Sequence, residues 1–453
     1  MKLSPSAEKA ILMLEKAGFE AYAVGGCVRD SLLGKNPTDF DITTSAKPEE
    51  TKAVFKNEHV IETGIKHGTV TVLMNGEPLE ITTFRIDKNY SDNRHPKEVE
   101  FTRSLSEDLA RRDFTVNALA YNEKTGVTDL FGGVSDLEHG IIRAVGDPEK
   151  RFNEDALRIM RALRFASVLG FEIEEKTAAS LSKNAPLLKN VSAERLFSEL
   201  GKLLCGKNAA KIIREHPKAF FEIIPELSVL KGFEQHHFRH DKDAFEHTLA
   251  VLENVPPERN LRLAALFHDI AKPLCQSFDE TGTAHYYGHA QKSAEIAETV
   301  LRRLKADSET IKTVSELVRR HEDRFEPSKK AVKRLLGKTN PEFFEMLLSL
   351  MEADEMGKRA EFRFPKDVFD EFHRLAAEIV EKEECFSLKN LAVSGADLIS
   401  AGFEPGPEMG KILETLLEKV IEETKVSYDW EELYKMIEAA PVNETEIMEV
   451  TVT

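Results

Sequence analysis

The 453-residue chain carries 79 Asp and Glu against 62 Lys and Arg, a formal net charge of −17, with 41 % hydrophobic residues. Length and apolar fraction suit a soluble multidomain protein, and the acidic balance excludes general coating of nucleic acid, which needs clustered cations. No run of about 18 apolar residues occurs, so no membrane-spanning helix is expected, and four scattered cysteines without CxxC spacing (Cys27, Cys205, Cys275, Cys385) fit a reducing cytoplasm rather than a disulfide framework or zinc knuckle.

The N-terminal MKLSPSAEKAILMLEKAGFE reads as an amphipathic helix capped by Ser4, with Pro5 in its first turn and a stop near Gly18, which is neither a signal peptide nor an anchor. Residues 20–146 then alternate short strands and helices: strand 21–25, helix 27–33, strand 39–43, helix 47–56, and a hairpin about Asn75-Gly76. Gly25-Gly26 let backbone amides approach phosphate oxygens at the start of a helix bearing Arg29 and Asp30. Asp39 and Asp41, alternate residues of one strand, share a face and can hold divalent cations for two-metal phosphoryl or nucleotidyl transfer. Glu80, on the second hairpin strand, is either a third acidic ligand or an ordinary surface carboxylate. Residues 86–103, which include Arg94-His95-Pro96, lack periodicity and read as a long mobile loop.

Helix signals resume at Ser104, where SLSE resembles a capping box. Within RRDFTVNAL, Asp113 and Asn117 stand four apart and would share one helix face beside Arg111 and Arg112, a surface able to bond a ribose and neutralise a triphosphate or, equally, a solvated salt-bridge pattern. From about residue 148 the pattern is helical, broken near Pro186, Pro217, Pro225, Pro256-Pro257 and Pro327. The helix after Asn153 carries Glu154, Asp155 and Arg158, followed by Arg161 and Arg164. Asp155 and Arg158, three apart, are either a solvated ion pair or a reader of the base edges of C and A, because a carboxylate accepts from their exocyclic amino group while a guanidinium donates to the ring nitrogen. Residues 141–220 hold fifteen Lys and Arg against ten Asp and Glu, which suits contact with one short piece of RNA or is ordinary fluctuation. The acidic C-terminal end, EAAPVNETEIMEVTVT, lacks a strong period and reads as frayed.

In this order and spacing, Gly25-Gly26, Val28-Arg29-Asp30, Asp39/Asp41, RRDFTVNAL and EDALR resemble the class II tRNA nucleotidyltransferases, the CCA-adding enzymes, which share a head with bacterial poly(A) polymerases in the DNA polymerase beta superfamily. The resemblance implies an α+β fold, with a small mixed-sheet head followed by an all-α neck, body and tail; the divisions expected here are 1–146, 147–228, 229–375 and 376–453. It also implies that Asp39 and Asp41 bind two magnesium ions, that Asp113 lies near the ribose 2′-hydroxyl, that Asp155 and Arg158 read the incoming base with Glu154 holding them, and that CTP, ATP and the tRNA 3′ end are substrates.

Further on, FEHTLAV, LFHDIAK, YGHAQKSA, RRHEDRF and MEADEMGK place His247, His268-Asp269, His289, His321 and Asp354 on successive helices. This series resembles the HD superfamily of metal-dependent phosphohydrolases. Carried over, His247, His268, Asp269 and Asp354 are metal ligands, with His289 and His321 as further ligands or phosphate contacts, and phosphomonoesters or 2′,3′-cyclic phosphates are the expected substrates. Two alternatives stay open: an A-adding or CC-adding specialist or poly(A) polymerase of the same family, and a uridylyltransferase-type signalling enzyme with an HD domain, for which only about 80 residues remain after the HD region.

Overall fold

The computed structural model describes residues 1–90 and 96–422. The N-terminal helix, Pro5–Lys16, forms as the sequence dictates: Ser4 accepts from the Ala7 amide, Pro5 occupies the first turn, and Ala7, Ala10, Ile11 and Leu14 are buried. Thirteen strands follow among the described residues, in chain order β1 (Ala21–Val24), β2 (Asp41–Thr44), β3 (His59–Ile61), β4 (Thr69–Met74), β5 (Glu77–Thr83), β6 (Arg85–Tyr90), β7 (Pro96–Phe101), β8 (Leu119–Asn122), β9 (Gly126–Asp129), β10 (Ile141–Ile142), β11 (Glu172–Ile173), β12 (Ser277–Phe278) and β13 (Ala284–His285).

Seven of them make one sheet in the order β3-β4-β5-β2-β1-β8-β9. Every pair is antiparallel except β2 with β5. That parallel pair sets Asp41 opposite Glu80, so two acidic side chains stand side by side on neighbouring strands. The β4–β5 turn is the expected hairpin, with Asn75 at φ 52° and Gly76 at φ 81°, the double left-handed geometry of a tight two-residue connection. Alternation is strict in β4, where Val70, Val72 and Met74 point into the core beneath the N-terminal helix.

Four local readings are corrected. The region 86–103 is not loop throughout: β6 and β7 pair antiparallel from Arg85–Phe101 to Tyr90–Pro96, while Arg94 and His95 lie outside the described residues. The strand proposed for 39–43 begins only at Asp41, and Asp39 precedes it. No capping box forms at Ser104, whose hydroxyl instead bonds that of Ser106. Two short strand pairs, β10–β11 and β12–β13, also interrupt the expected all-helical remainder.

Apart from β11, β12 and β13, the described chain after β10 is a stack of helices. Leu157–Leu169 packs on Ala193–Leu204, and its Phe165 meets Phe114 of the head edge-on, ring centroids 5.9 Å apart. Helices Ala244–Asn254, Arg259–Phe267, His289–Arg303, Ser308–Arg320 and Pro341–Gly357 surround the central part of the body. One buried apolar cluster runs from the head sheet through these helices, whereas Cys385, Val393, Leu398, Leu416 and Val420 form a separate small core in the tail. The frayed end expected at the C-terminus lies outside the described residues.

Candidate nucleotide site and candidate metal centre

Two constellations stand out, one in the head and neck and one in the body. In the first, Gly25 ends β1 at φ 77° and ψ −123°, a conformation open to glycine, and a Cβ there would lie 3.1 Å from Nη1 of Arg112. The helix that follows, Gly26–Leu32, turns Arg29 inward. Its guanidinium grips Asp30 through Nε and Nη2, both at 2.9 Å, and donates through Nη1 to Oδ1 of Asn117 at 2.6 Å. Asn117 in turn donates to Asp113 at 3.1 Å, and the other Asp113 oxygen receives Nε and Nη2 of Arg161 at 2.8 and 2.7 Å. Burial opposes ionisation of Asp113, but Arg161 and the Asn117 hydrogen bond outweigh it and bring its pKa down to about 2.

Asp113 and Asn117 thus meet as expected, but not across an α-helix. The helix Leu105–Ala110 ends before them, and a single 3₁₀ turn, Thr115–Asn117, brings Asn117 back. The turn is held from within by Asp113, which also accepts from the Phe114 amide at 2.8 Å.

The reading of Asp155 and Arg158 as an i,i+3 pair fails in a similar way. Helix Pro148–Glu154 stops at Asp155, which is extended at φ −136° and ψ 104°, and the next helix starts at Leu157. Asp155 pairs with Arg195 at 3.0 Å and caps the Leu157 amide, while Arg158 turns to Glu154 at 2.8 Å. Glu154 also takes Arg151 at 2.8 Å, and the two arginines it binds reach the head backbone, Arg151 to the Ala110 carbonyl at 3.1 Å and Arg158 to the Arg111 carbonyl at 2.7 Å.

Asp108, which the sequence reading passed over, organises the other side. Fully buried, it accepts from Arg111 at 2.7 Å and from Thr43 of β2 at 3.1 Å, with Arg112 at 3.4 Å. The spacing Asp108, Arg111, Arg112 on one helix end was a legible i,i+3/i,i+4 signal. Arg29, Arg161 and Arg164 all lie over the Phe165 ring, at 5.1, 5.3 and 4.0 Å from its centroid. Arg164 is further paired with the buried Glu199 at 2.6 Å.

Asp39, Asp41 and Glu80 are exposed, Asp41 and Glu80 on neighbouring strands. Partial desolvation and the neighbouring Glu80 carboxylate raise the pKa of Asp41, with only Arg112 pulling the other way. Carboxylates crowded in this manner favour a divalent cation. Among the described residues, however, the tight groupings of ligating atoms lie in the body rather than here.

There His247, His268, Asp269 and Asp354 converge, and Asp269 also meets His289 and His321, so one carboxylate serves both groups. Nε2 of His247 is 3.0 Å from Asp354 and 3.3 Å from Asp269, Nε2 of His268 is 3.1 Å from Asp269, and Nε2 of His289 is 3.1 Å from the other Asp269 oxygen. His321 is more distant, at 3.8 Å. The Nδ1 atoms of His268, His289 and His321 face the carbonyls of Ala265, Tyr286 and Val318 at 2.7–2.8 Å. Donating there leaves each Nε2 with a free lone pair, the arrangement of metal-bound imidazoles. Nε2 of His247 and of His268 also stand 3.4 Å apart, a facing of ring nitrogens that a shared cation relieves. These residues therefore fit a divalent metal ion.

Lys272 and Lys358, absent from the sequence reading, flank the cluster at 2.6 Å from Asp269 and 2.7 Å from Asp354. Burial disfavours the charge on both aspartates, but Lys272 and the histidines hold Asp269, and Lys358 and His247 hold Asp354, well below the usual carboxylate range.

Comparison with known proteins bears on both constellations. A family model described as "Poly A polymerase head domain" matches residues 21–143, one described as "Probable RNA and SrmB- binding site of polymerase A" matches 170–229, and a model of tRNA nucleotidyltransferase domain 2 matches 284–435. The CCA-adding enzyme of Ligilactobacillus salivarius is 54 % identical over 211 residues, a match spanning 46 % of this chain and about half, 52 %, of that protein. That of Streptococcus gordonii is 37 % identical over 443 residues, 95 % of this chain and 96 % of its own. The crystal structure of Bacillus stearothermophilus CCA-adding enzyme in complex with CTP superposes with a TM-score of 0.70 at 31 % identity, covering 96 % of this chain and 98 % of that one. With both the head network and the helical remainder covered end to end by such relatives, the chain belongs to the family of CCA-adding enzymes.

Proposed function

We propose that this protein builds or repairs the 3′-terminal CCA of tRNA from CTP and ATP, without a nucleic-acid template, in the cytoplasm. The observation that carries the reading is the continuous head–neck network from Gly25 through Arg29, Asn117, Asp113 and Arg161, in a chain similar over nearly its whole length to CCA-adding enzymes. Gly25 and the start of the helix after it receive the triphosphate, Arg112 supplies a nearby positive charge, and Asp113 with Asn117 faces the ribose. Glu154 fixes Arg158, and Arg195 fixes Asp155, so the two base-reading groups are positioned by separate partners rather than by each other. Asp39 and Asp41, with Glu80 beside them, hold magnesium ions, which when bound supply charge stabilisation to the attacking 3′-oxygen and the departing pyrophosphate. The test is Asp39→Ala combined with Asp41→Ala: nucleotide addition is lost while tRNA binding is retained, and full-rate addition by the variant would refute the assignment.

A second activity is favoured by one specific observation, the two ligand groups that share Asp269. We infer that they hold divalent metal for phosphate-ester hydrolysis, in which a water oxygen bonds to phosphorus, the ester P–O bond breaks and the water's proton passes to the leaving alcohol. Elemental analysis checks this in protein already carrying Asp39→Ala and Asp41→Ala, which removes the head ligands: metal is present there and absent once His268→Ala and Asp269→Ala are added, while the latter pair alone leaves CCA addition in place.

A further inference from the structure

Beside the shared Asp269 opens a cavity of about 310 Å³, near the lower end of what a small ligand needs. Asp269, His289, His321 and Asp354 line it together with Lys358, Arg239 and Arg324. The two arginines are held over one ring, their guanidinium carbons 5.4 and 5.5 Å from the centroid of Phe364, which steadies a paired cationic wall. A wall of this charge, facing a metal-ligand cluster, accepts a phosphate group.

The same cavity is also lined by Tyr287, the most exposed large hydrophobic residue among those described, at 79 %. Its ring lies parallel to that of His285, 9° between planes and 5.4 Å between centroids. The backbone fixes this position: the Tyr286 carbonyl faces Nδ1 of His289, and Gly288 turns at φ 75° into the helix that begins with that histidine. Tyr286 also lines the cavity, but its hydroxyl is bonded to the Gln235 carbonyl. One residue separates a metal-ligand candidate from a flat aromatic face left in solvent at the cavity mouth, and such a face binds a nucleobase by stacking.

We propose that Tyr287 sets the specificity of the body cavity, its solvent-facing ring stacking on the base of a nucleoside phosphate whose phosphate lies against Arg239, Arg324 and Lys358. This rests on the hydrolase reading of the same centre and names the residue that selects among its substrates. It is tested by calorimetric titration of the full-length protein with AMP and with ribose 5-phosphate, which lacks a base. Heat lost on combining Arg239→Ala with Arg324→Ala is assigned to this cavity.

Stacking of one base predicts roughly 5- to 100-fold tighter binding of AMP than of ribose 5-phosphate there. Tyr287→Ala abolishes that preference and leaves ribose 5-phosphate unchanged, and Tyr287→Phe restores it. In hydrolysis, Tyr287→Ala raises KM for AMP with kcat held. If ribose 5-phosphate binds and AMP binds no better, or if Tyr287→Ala leaves the preference intact, the stacking assignment is overturned while the hydrolase reading stands. If the body site carries no metal and neither compound binds in the cavity, the hydrolase reading falls, and this inference with it.

Discussion

Asp113→Ala removes the residue on which the head–neck network turns. In the folded protein its carboxylate accepts from the Phe114 amide, from Asn117 and twice from Arg161. Truncation leaves Arg161 with the distant Glu199, at 3.9 Å, as its ion-pair partner among the described residues. Breaking a fully buried pair costs about 3–5 kcal/mol, and the Arg161 side chain, 33 % exposed, recovers part of that by hydration, so a loss of about 2–3 kcal/mol is expected at pH 7. Linkage gives a second route to the magnitude. The folded pKa is about 2 against an ordinary value of 3.8, and this depression contributes about 2–3 kcal/mol of stability. Because the folded pKa is the lower one, the contribution is complete above the unfolded value and lost as pH falls through about 2. Urea unfolding of parent and variant, followed by circular dichroism from pH 7 to pH 2, measures both quantities. The difference between them should be flat down to about pH 5 and shrink below pH 4. A difference under about 1 kcal/mol at pH 7, or one unchanged between pH 5 and pH 2, would refute the charge-based account.

Gly25→Ala places a Cβ at φ 77° and 3.1 Å from Arg112, so it should cost about 1–3 kcal/mol and depress nucleotide addition more than tRNA binding; melting temperature and addition rate measure the two separately. Glu154→Gln weakens the charge-assisted bonds to Arg151 and Arg158, and incorporation of UTP and GTP relative to CTP and ATP should rise about ten-fold in single-turnover assays. Chelator treatment should lower the melting temperature, and adding manganese back at about 100 times its Kd should restore about 3 kcal/mol in the parent. The part of that gain due to the body is missing after His268→Ala with Asp269→Ala, and equal recovery in that variant would remove these residues from metal binding.

What the sequence made legible was carried by short-range chemistry. Strand, Gly25-Gly26 and helix follow from backbone freedom, the Asn75-Gly76 turn from its left-handed residues, and the His/Asp convergence from spacing along helices that pack round a common centre. Two features were hidden for one reason: an α-helical period was extended through a break that carries no proline or glycine. Asp155 interrupts the chain because Arg195, forty residues on, and the Leu157 amide hold it extended, while Asn117 folds back because Asp113 captures its side chain. The tertiary part of each is an arginine from a later helix, Arg195 on Asp155 and Arg161 on Asp113, which fixes the carboxylate about which the local bonds form. Lys272 stands i,i+3 from Asp269 and Lys358 i,i+4 from Asp354, a spacing that in sequence looks like any solvated ion pair, and the β6–β7 hairpin was hidden by the polar composition of its stretch.

The Glu154 clamp has a consequence for how substitutions are tolerated. Arg151 and Arg158 dock on the carbonyl oxygens of Ala110 and Arg111, atoms that every amino acid supplies. The docked side can therefore change its side chains and keep the joint, whereas the docking side has no such latitude, since only two guanidiniums bridged by one carboxylate span the gap. A saturation library across this seam should consequently be lopsided: permissive for this contact at position 110, and close to invariant at 151, 154 and 158.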